Sequence, residues 1–384
     1  MHYSQTDSLP SRSPYPAGRL ASLDILRGFD LFMLVFFQPV FVAFARHWAD
    51  VPVFSFLLKQ FEHVQWEGFS AWDLVMPLFL FMVGAAMPFS FEKYRTNPDR
   101  TAIYKKITKR FVILFILGAV VQGKLLSFDP LQIRIYTNTL QAIAVGYLIS
   151  AMFLLHLSRK WQIIATSLLL VGYWAFLTFL GDFTPDGNFA EAVDKAVLGR
   201  VRDGVSYAED GSWSFSPNYR YTWVLTSMVF AVTTMLGVFA GQIMKNGKDK
   251  LKNSKLLFVI GVALLVSAWL LSFQTPIIKK IWSASMTLWS GGLCFLLMAL
   301  FYYIIDYKGW SNGLDWLKIY GMNSIVAYTL GMVINFRCAA HSVLWGLEKY
   351  TGDYYYAAIL TFANFFILFF ILRLMYKLRV FVKI

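Results

Sequence analysis

Cysteine is nearly absent from this chain: Cys294 and Cys338 are the only two in 384 residues, and they support neither a disulfide framework nor a thiolate metal site. Charge is sparse too, at 15% of residues, with 22 acidic side chains against 35 basic ones. The net charge of +13 could suggest a nucleic-acid partner, but the lysines and arginines lie in short connections between apolar runs, where membrane topology signals sit. No nucleic acid is therefore expected. No internal repeat is evident, which gives an inverted-repeat transporter no support.

What the chain has in abundance is apolar surface. Hydrophobic residues make up 58% of it and aromatic residues 18%, with a mean hydropathy of +0.54. Runs long enough to cross a hydrocarbon core, roughly 20 residues each, recur at about 24–45, 73–91, 108–123, 138–157, 161–181, 221–244, 255–273, 281–305, 319–336 and 354–376. The expected fold is an all-α polytopic bundle in a lipid bilayer with about ten transmembrane helices, eleven being the alternative. Placing the amino terminus in the cytoplasm assigns 21 Lys and Arg to inner segments and 12 to outer ones, so both termini are expected inside. Ala-Phe-Ala at 43–45 resembles a signal-peptidase site, but Arg27 and Asp30 within the preceding run favour an uncleaved first helix.

Residues 1–18 read as a polar, proline-rich, disordered lead, and 19–384 as one membrane domain. The long connection at 182–220, with "TPDGN" and "EDGSWSFSPN", suits a partly ordered outer cap or a polar ligand surface.

Polar groups at membrane depth cost several kcal/mol unless paired or hydrated, so each is a candidate for function. Asp24, Arg27 and Asp30 in "SLDILRGFD" are spaced for a structural ion pair or for a cytoplasmic anion site. Ser70 and Asp73 have capping-box spacing, which makes Asp73 a helix-start group. His63, in "HVQWEGFSAWDL", has no such local explanation. Asn138 and Gln141 in "TNTLQAIAVGY", Asn323 and Ser324 in "GMNSIVAY", and Ser283, Ser285 and Thr287 in "IWSASMTLW" are read either as interhelical hydrogen bonding or as site groups.

The order of these motifs resembles the transmembrane N-acetyltransferases of the heparan-alpha-glucosaminide type and their bacterial relatives. "RLASLDILRG", "HVQWEGFSAWDLVMPLFLFMVG", "TNTLQAIAVGYL", "TTMLGVFAG", "IWSASMTLWSGG" and "YGMNSIVAY" follow the family order across about 19–330. The H-x-x-W-x-G-x-x-x-x-D-L-x-x-P pattern is the most specific part. The resemblance implies acetyl transfer from cytosolic acetyl-CoA to a glucosamine-type amine across the membrane, without a metal, in a bacterial inner membrane, with a homodimer admitted. It places His63 on the family's catalytic histidine, as general base or as acetyl carrier. Histidine fits the first role because its ordinary pKa of about 6.5 lies near working pH. Gln38, where the family often has asparagine, and Asn138 are the expected oxyanion donors. Trp66, Glu67, Asp73, Gln141, Asn323 and Ser324 are expected to contact substrate, and Arg27, Lys105 and Lys106 the anionic acyl donor. O-acetylation of a glycan and transport of a small anion remain the alternatives.

Overall fold

The structure, a computed structural model, describes residues 20–95, 100–208, 210–217, 219–314 and 316–382, and the lead expected at 1–18 falls outside them. Helix α1 (Ala21–Phe32) runs through a π-turn at Met33–Phe37 into α2 (Gln38–Ala45). The π-turn accommodates Pro39, whose missing N–H would otherwise break a regular ladder. A short α3 (Pro52–Gln60) and a 3-10 turn at Ala71–Leu74 lead into α4 (Val75–Arg95). Then follow α5 (Thr101–Val121), α6 (Thr139–His156), α7 (Arg159–Phe179), α8 (Phe189–Leu198) and the antiparallel strands β1 (Val205–Tyr207) and β2 (Trp213–Phe215). The rest is helical: α9 (Ser227–Asn246), α10 (Lys250–Ser272), α11 (Ala284–Phe301), α12 (Leu317–Met322), α13 (Ser324–Val333), α14 (Arg337–Leu344) and α15 (Glu348–Lys377).

Among the described residues, eight helical stretches are long and apolar enough to cross a membrane. Two of the ten expected runs are not among them. The run at 108–123 falls on the second half of α5 and just past its end; Lys105, Lys106, Lys109 and Arg110 leave only Phe111–Val121 of the helix free of charge. The run at 319–336 is broken at Asn323 (φ −118°, ψ 41°), which divides α12 from the ten-residue α13.

Helices in lipid gain little from apolar burial against each other, so close backbone approach at small residues supplies the contact. At the α4–α9 crossing, a Cβ on Gly237 would stand 1.9 Å from the Phe81 carbonyl oxygen, and one on Gly84 1.8 Å from that of Thr234. Helix α4 therefore packs at backbone distance on α9, and it also touches α1, α6 and α11. One stripe along α4, through Met76, Phe79, Val83, Met87 and Ser90, lines two neighbouring cavities.

The 182–220 connection is ordered at its described positions. Arg202 is fully buried, 3.4 Å from Glu191, with its guanidinium 5.1 Å from the Tyr219 ring. Asp194 accepts from the backbone N–H groups of Trp223 (2.8 Å) and Val224 (2.9 Å). Burial pushes the Asp194 carboxyl up to about 6, with the two amides holding it partly back. These contacts fix the segment carrying Tyr219, Tyr221 and Trp223 beside the start of α9.

Candidate active site

The loop between α3 and α4 carries His63, and its shape follows from capping. Asp73 and Ser70 close a capping box: Asp73 Oδ2 accepts from Ser70 N at 3.0 Å and from Ser70 Oγ at 3.0 Å. Ser70 Oγ is also 2.6 Å from Glu62 O, which draws the loop back over the helix start. The other carboxylate oxygen, Asp73 Oδ1, lies 2.8 Å from His63 Nδ1. Asp73 is thus both the helix-start group read from the sequence and the partner of the imidazole. Its side chain is 1% exposed, against 42% for His63. A buried carboxylate holds the ring by one nitrogen and leaves the other edge toward open space.

A third group completes the cluster. Lys279 Nζ lies 3.0 Å from His63 Nδ1 and 3.2 Å from Asp73 Oδ1. It stands in a tight turn before α11, where Ser283 N-caps the helix, donates to Pro276 O at 2.8 Å and accepts from Ile278 N at 3.1 Å. The turn is joined to the histidine loop by Gly68 N donating to Ile277 O at 2.8 Å, and to the 182–220 side by Thr222 N donating to Lys280 O at 3.1 Å. Burial pulls the Lys279 ammonium down to about 8, with Asp73 opposing the shift. Trp282 closes the turn at φ +48°, a conformation costly for a bulky residue. Edge-to-face packing on Phe230 at 5.0 Å and a 3.3 Å hydrogen bond to Thr233 hold it there.

His63 and Lys279 open onto a cleft of about 290 Å³, also lined by Trp72, Tyr219, Tyr221 and Trp223. Beside it lies a second cavity of about 200 Å³ with Arg27, Arg110 and Ser324 on its walls. Phe79, Thr139 and Tyr328 line both, so the two spaces share a wall made by α4, α6 and α13. The Arg110 guanidinium lies 4.5 Å from the Tyr147 ring, and its buried Nε has no hydrogen-bond partner. Arg27 is 3.7 Å from Asp24. Two guanidinium groups beside a mostly apolar chamber suit an anionic head on a thin aliphatic arm.

The remaining sequence candidates divide by position. Asn138 borders the cleft, but its side chain caps α6: Oδ1 accepts from Leu140 N and Gln141 N, and Nδ2 donates to Gly118 O at 2.7 Å. Gln141 is spent on Thr137 N (2.7 Å) and Phe115 O (3.2 Å). Gln38 donates to Phe61 O at 3.2 Å, bracing the base of the histidine loop from outside the cleft. Trp66 donates to Phe183 O at 2.8 Å, and Glu67 is exposed beside Ile278 in an isolated bridge. Asn323 ties the helix break to the carboxyl-terminal segment through Val380 O and Val382 N, both at 3.1 Å. Ser324 stands with the arginines rather than with His63. Lys105 is exposed, Lys106 reaches Tyr94 at 5.5 Å, and neither borders the two cavities.

Sequence reasoning passed over Lys279, Arg110 as an individual residue, and the tyrosines of the long connection. The pair Lys279–Lys280 was visible as charge at a helix mouth, but topology explains lysines there equally well. No group of three or more His, Cys, Asp or Glu able to hold a metal occurs among the described residues.

Residues 19–185 match the family model for the catalytic part of heparan-alpha-glucosaminide N-acetyltransferase, a segment containing His63, Asp73, Arg27 and Arg110. Two curated relatives are similar over more of the chain. Human heparan-alpha-glucosaminide N-acetyltransferase is 25% identical over 364 residues, covering 81% of this chain and 52% of its own length. The mouse protein is 24% identical over 376 residues, covering 84% and 54%. The chain spans about half the length of the curated relatives it matches. The chain is thus similar to the heparan-alpha-glucosaminide N-acetyltransferase catalytic model over 19–185 and, over most of its own length, to about half of each of the two heparan-alpha-glucosaminide N-acetyltransferases.

Proposed function

We propose that this protein is a membrane-bound acetyltransferase that moves an acetyl group from acetyl-CoA to the amine of a glucosamine-type sugar on the extracytoplasmic side. The observation that carries the reading is two neighbouring cavities, His63 lining one and Arg27 and Arg110 the other, with Phe79, Thr139 and Tyr328 as their common wall. The donor enters at the Arg27 and Arg110 end, which faces the cytoplasm, and its arm carries the thioester up to the shared wall. The acceptor enters beside Tyr219 and Tyr221, whose rings offer apolar faces to a pyranose.

His63 acts from the cleft on the acceptor side of that wall. With Nδ1–H donating to Asp73, Nε2 carries a lone pair toward the cleft and can take a proton from the acceptor ammonium. The same nitrogen can instead accept the acetyl group and pass it on. The Asn138 amide is engaged by backbone groups, so the hydroxyls of Thr139 and Tyr328, at the shared wall, are the donors best placed for the oxyanion.

The test is transfer of label from radiolabelled acetyl-CoA to glucosamine by purified protein. His63→Ala abolishes transfer while the protein still elutes as a folded species from a sizing column. Unchanged turnover in that variant, or no dependence on acetyl-CoA, removes the proposal.

A further inference from the structure

Acetyl transfer to an ammonium forms a C–N bond, breaks a C–S bond and takes two protons from nitrogen. One leaves on the coenzyme thiol and the other must be carried away. His63 binds a single extra proton, and its Nδ1 faces two neighbours that ask opposite things of it. Asp73 Oδ1, at 2.8 Å, requires a proton on Nδ1. Lys279 Nζ, at 3.0 Å, requires a lone pair there when it is an ammonium and can accept the Nδ1 proton when it is an amine. A proton on Lys279 and a proton on Nδ1 therefore compete for one gap.

Resting on the acetyltransferase reading, we propose that Lys279 is a positioning residue that, as a neutral amine, receives the first of the two protons through His63 Nδ1. The ring is left in its Nε2–H form; that proton passes to the departing sulfur, and the Nε2 lone pair so freed takes the second proton from nitrogen. The balance is one ammonium, one thioester and one lysine amine giving one amide, one thiol and one lysine ammonium. Discharge of Lys279 to water in the cleft resets the site. The burial that draws its ammonium down to about 8 makes the amine accessible near working pH. The charged and titratable groups around it are Asp73 and His63 in contact, Lys280 next in sequence, Tyr219 and Tyr221 across the cleft, Arg220 on the same segment as the tyrosines, and Glu67 bridged to Ile278.

Two variants separate this role from a plain ion pair with Asp73. Lys279→Arg keeps the charge and the donor but cannot give up its proton, because guanidinium stays charged throughout the working range. An ion-pair role predicts rescue by arginine. The relay predicts that Lys279→Arg and Lys279→Met both fall about 100-fold, the scale of a lost proton-transfer partner, and that both lose the rise in kcat between pH 7 and 9. A second readout needs no turnover: 15N spectra of labelled histidine, with His63→Ala assigning the signal. The parent protein is expected to pass from the Nε2–H tautomer to Nδ1–H as pH rises from 7 to 9, Lys279→Arg to stay Nε2–H, and Lys279→Met to stay Nδ1–H. Recovery of activity in Lys279→Arg, or a His63 tautomer indifferent to pH and to both variants, overturns the inference. A tautomer switch in a protein that transfers no acetyl group supports only the proton exchange between Lys279 and His63 Nδ1 and overturns the acetyltransferase reading instead.

Discussion

Replacing Asp73 with asparagine tests how the imidazole is held. The carboxylate makes two kinds of contact: Oδ2 closes the capping box with Ser70, and Oδ1 accepts from His63 Nδ1 at 2.8 Å and lies 3.2 Å from Lys279 Nζ. Asparagine can keep the cap by turning its oxygen toward Ser70 N, which directs its NH2 at His63 Nδ1. That donor forces a lone pair on Nδ1, places the proton on Nε2, and removes the base from the cleft. Loss of a carboxylate partner in an equivalent histidine pairing costs about 10⁴ in kcat where the geometry is otherwise kept. The His63 ring is 42% exposed and can reorient, so a loss of about 10²–10⁴ is expected, or roughly 3–5.5 kcal/mol in barrier height. Folding changes less, because the cap survives. Initial rates with labelled acetyl-CoA, beside a thermal-shift measurement in detergent, separate the two effects. A folded Asp73→Asn protein with kcat within about threefold of the parent, a difference under 1 kcal/mol, would refute the assigned role of this hydrogen bond.

Three further outcomes follow from the cavities and the packing. Arg110→Gln removes a guanidinium whose buried Nε has no partner within the protein; KM for acetyl-CoA should rise about tenfold or more with a smaller change in kcat, since a charge-assisted contact contributes about 1.5–3 kcal/mol, and steady-state titration of the donor measures it. Tyr328→Phe removes a hydroxyl at the wall shared by both cavities; kcat should drop about 100-fold, as for other single oxyanion donors, in the same rate assay, with the melting temperature nearly unchanged. Gly237→Val forces a branched side chain into a site where a Cβ already meets Phe81 O at 1.9 Å; the α4–α9 crossing must separate, and size-exclusion in detergent should show loss of the folded species.

The membrane bundle was legible because apolar runs of bilayer length are a strong signal and their intervening charges are few. Where it failed, the cause was local. The 319–336 run looks continuous by composition, yet Asn323 turns its amide to Val380 and Val382 and breaks the helix. His63 stood out in the sequence as a polar residue without a local explanation, but only the motif resemblance gave it a catalytic role, since a loop histidine at an interface is ordinarily structural. Asp73 was read from spacing as a cap, and the spacing was right, but its second oxygen points at a residue ten positions away that no periodicity links to it. Lys279 is 216 positions from His63 and reaches it only through a turn held by Ser283 and Pro276. Asn138 shows the reverse: a polar residue conspicuous in an apolar helix proved to be its N-cap.

The most direct measurement uses the protein in sealed lipid vesicles, with labelled acetyl-CoA confined to one side and glucosamine to the other. The account predicts that N-acetylglucosamine accumulates on the side opposite the coenzyme, and that His63→Ala abolishes it. Product formed only when donor and acceptor share a compartment would contradict the central claim that the two neighbouring cavities carry an acetyl group from one face of the membrane to the other.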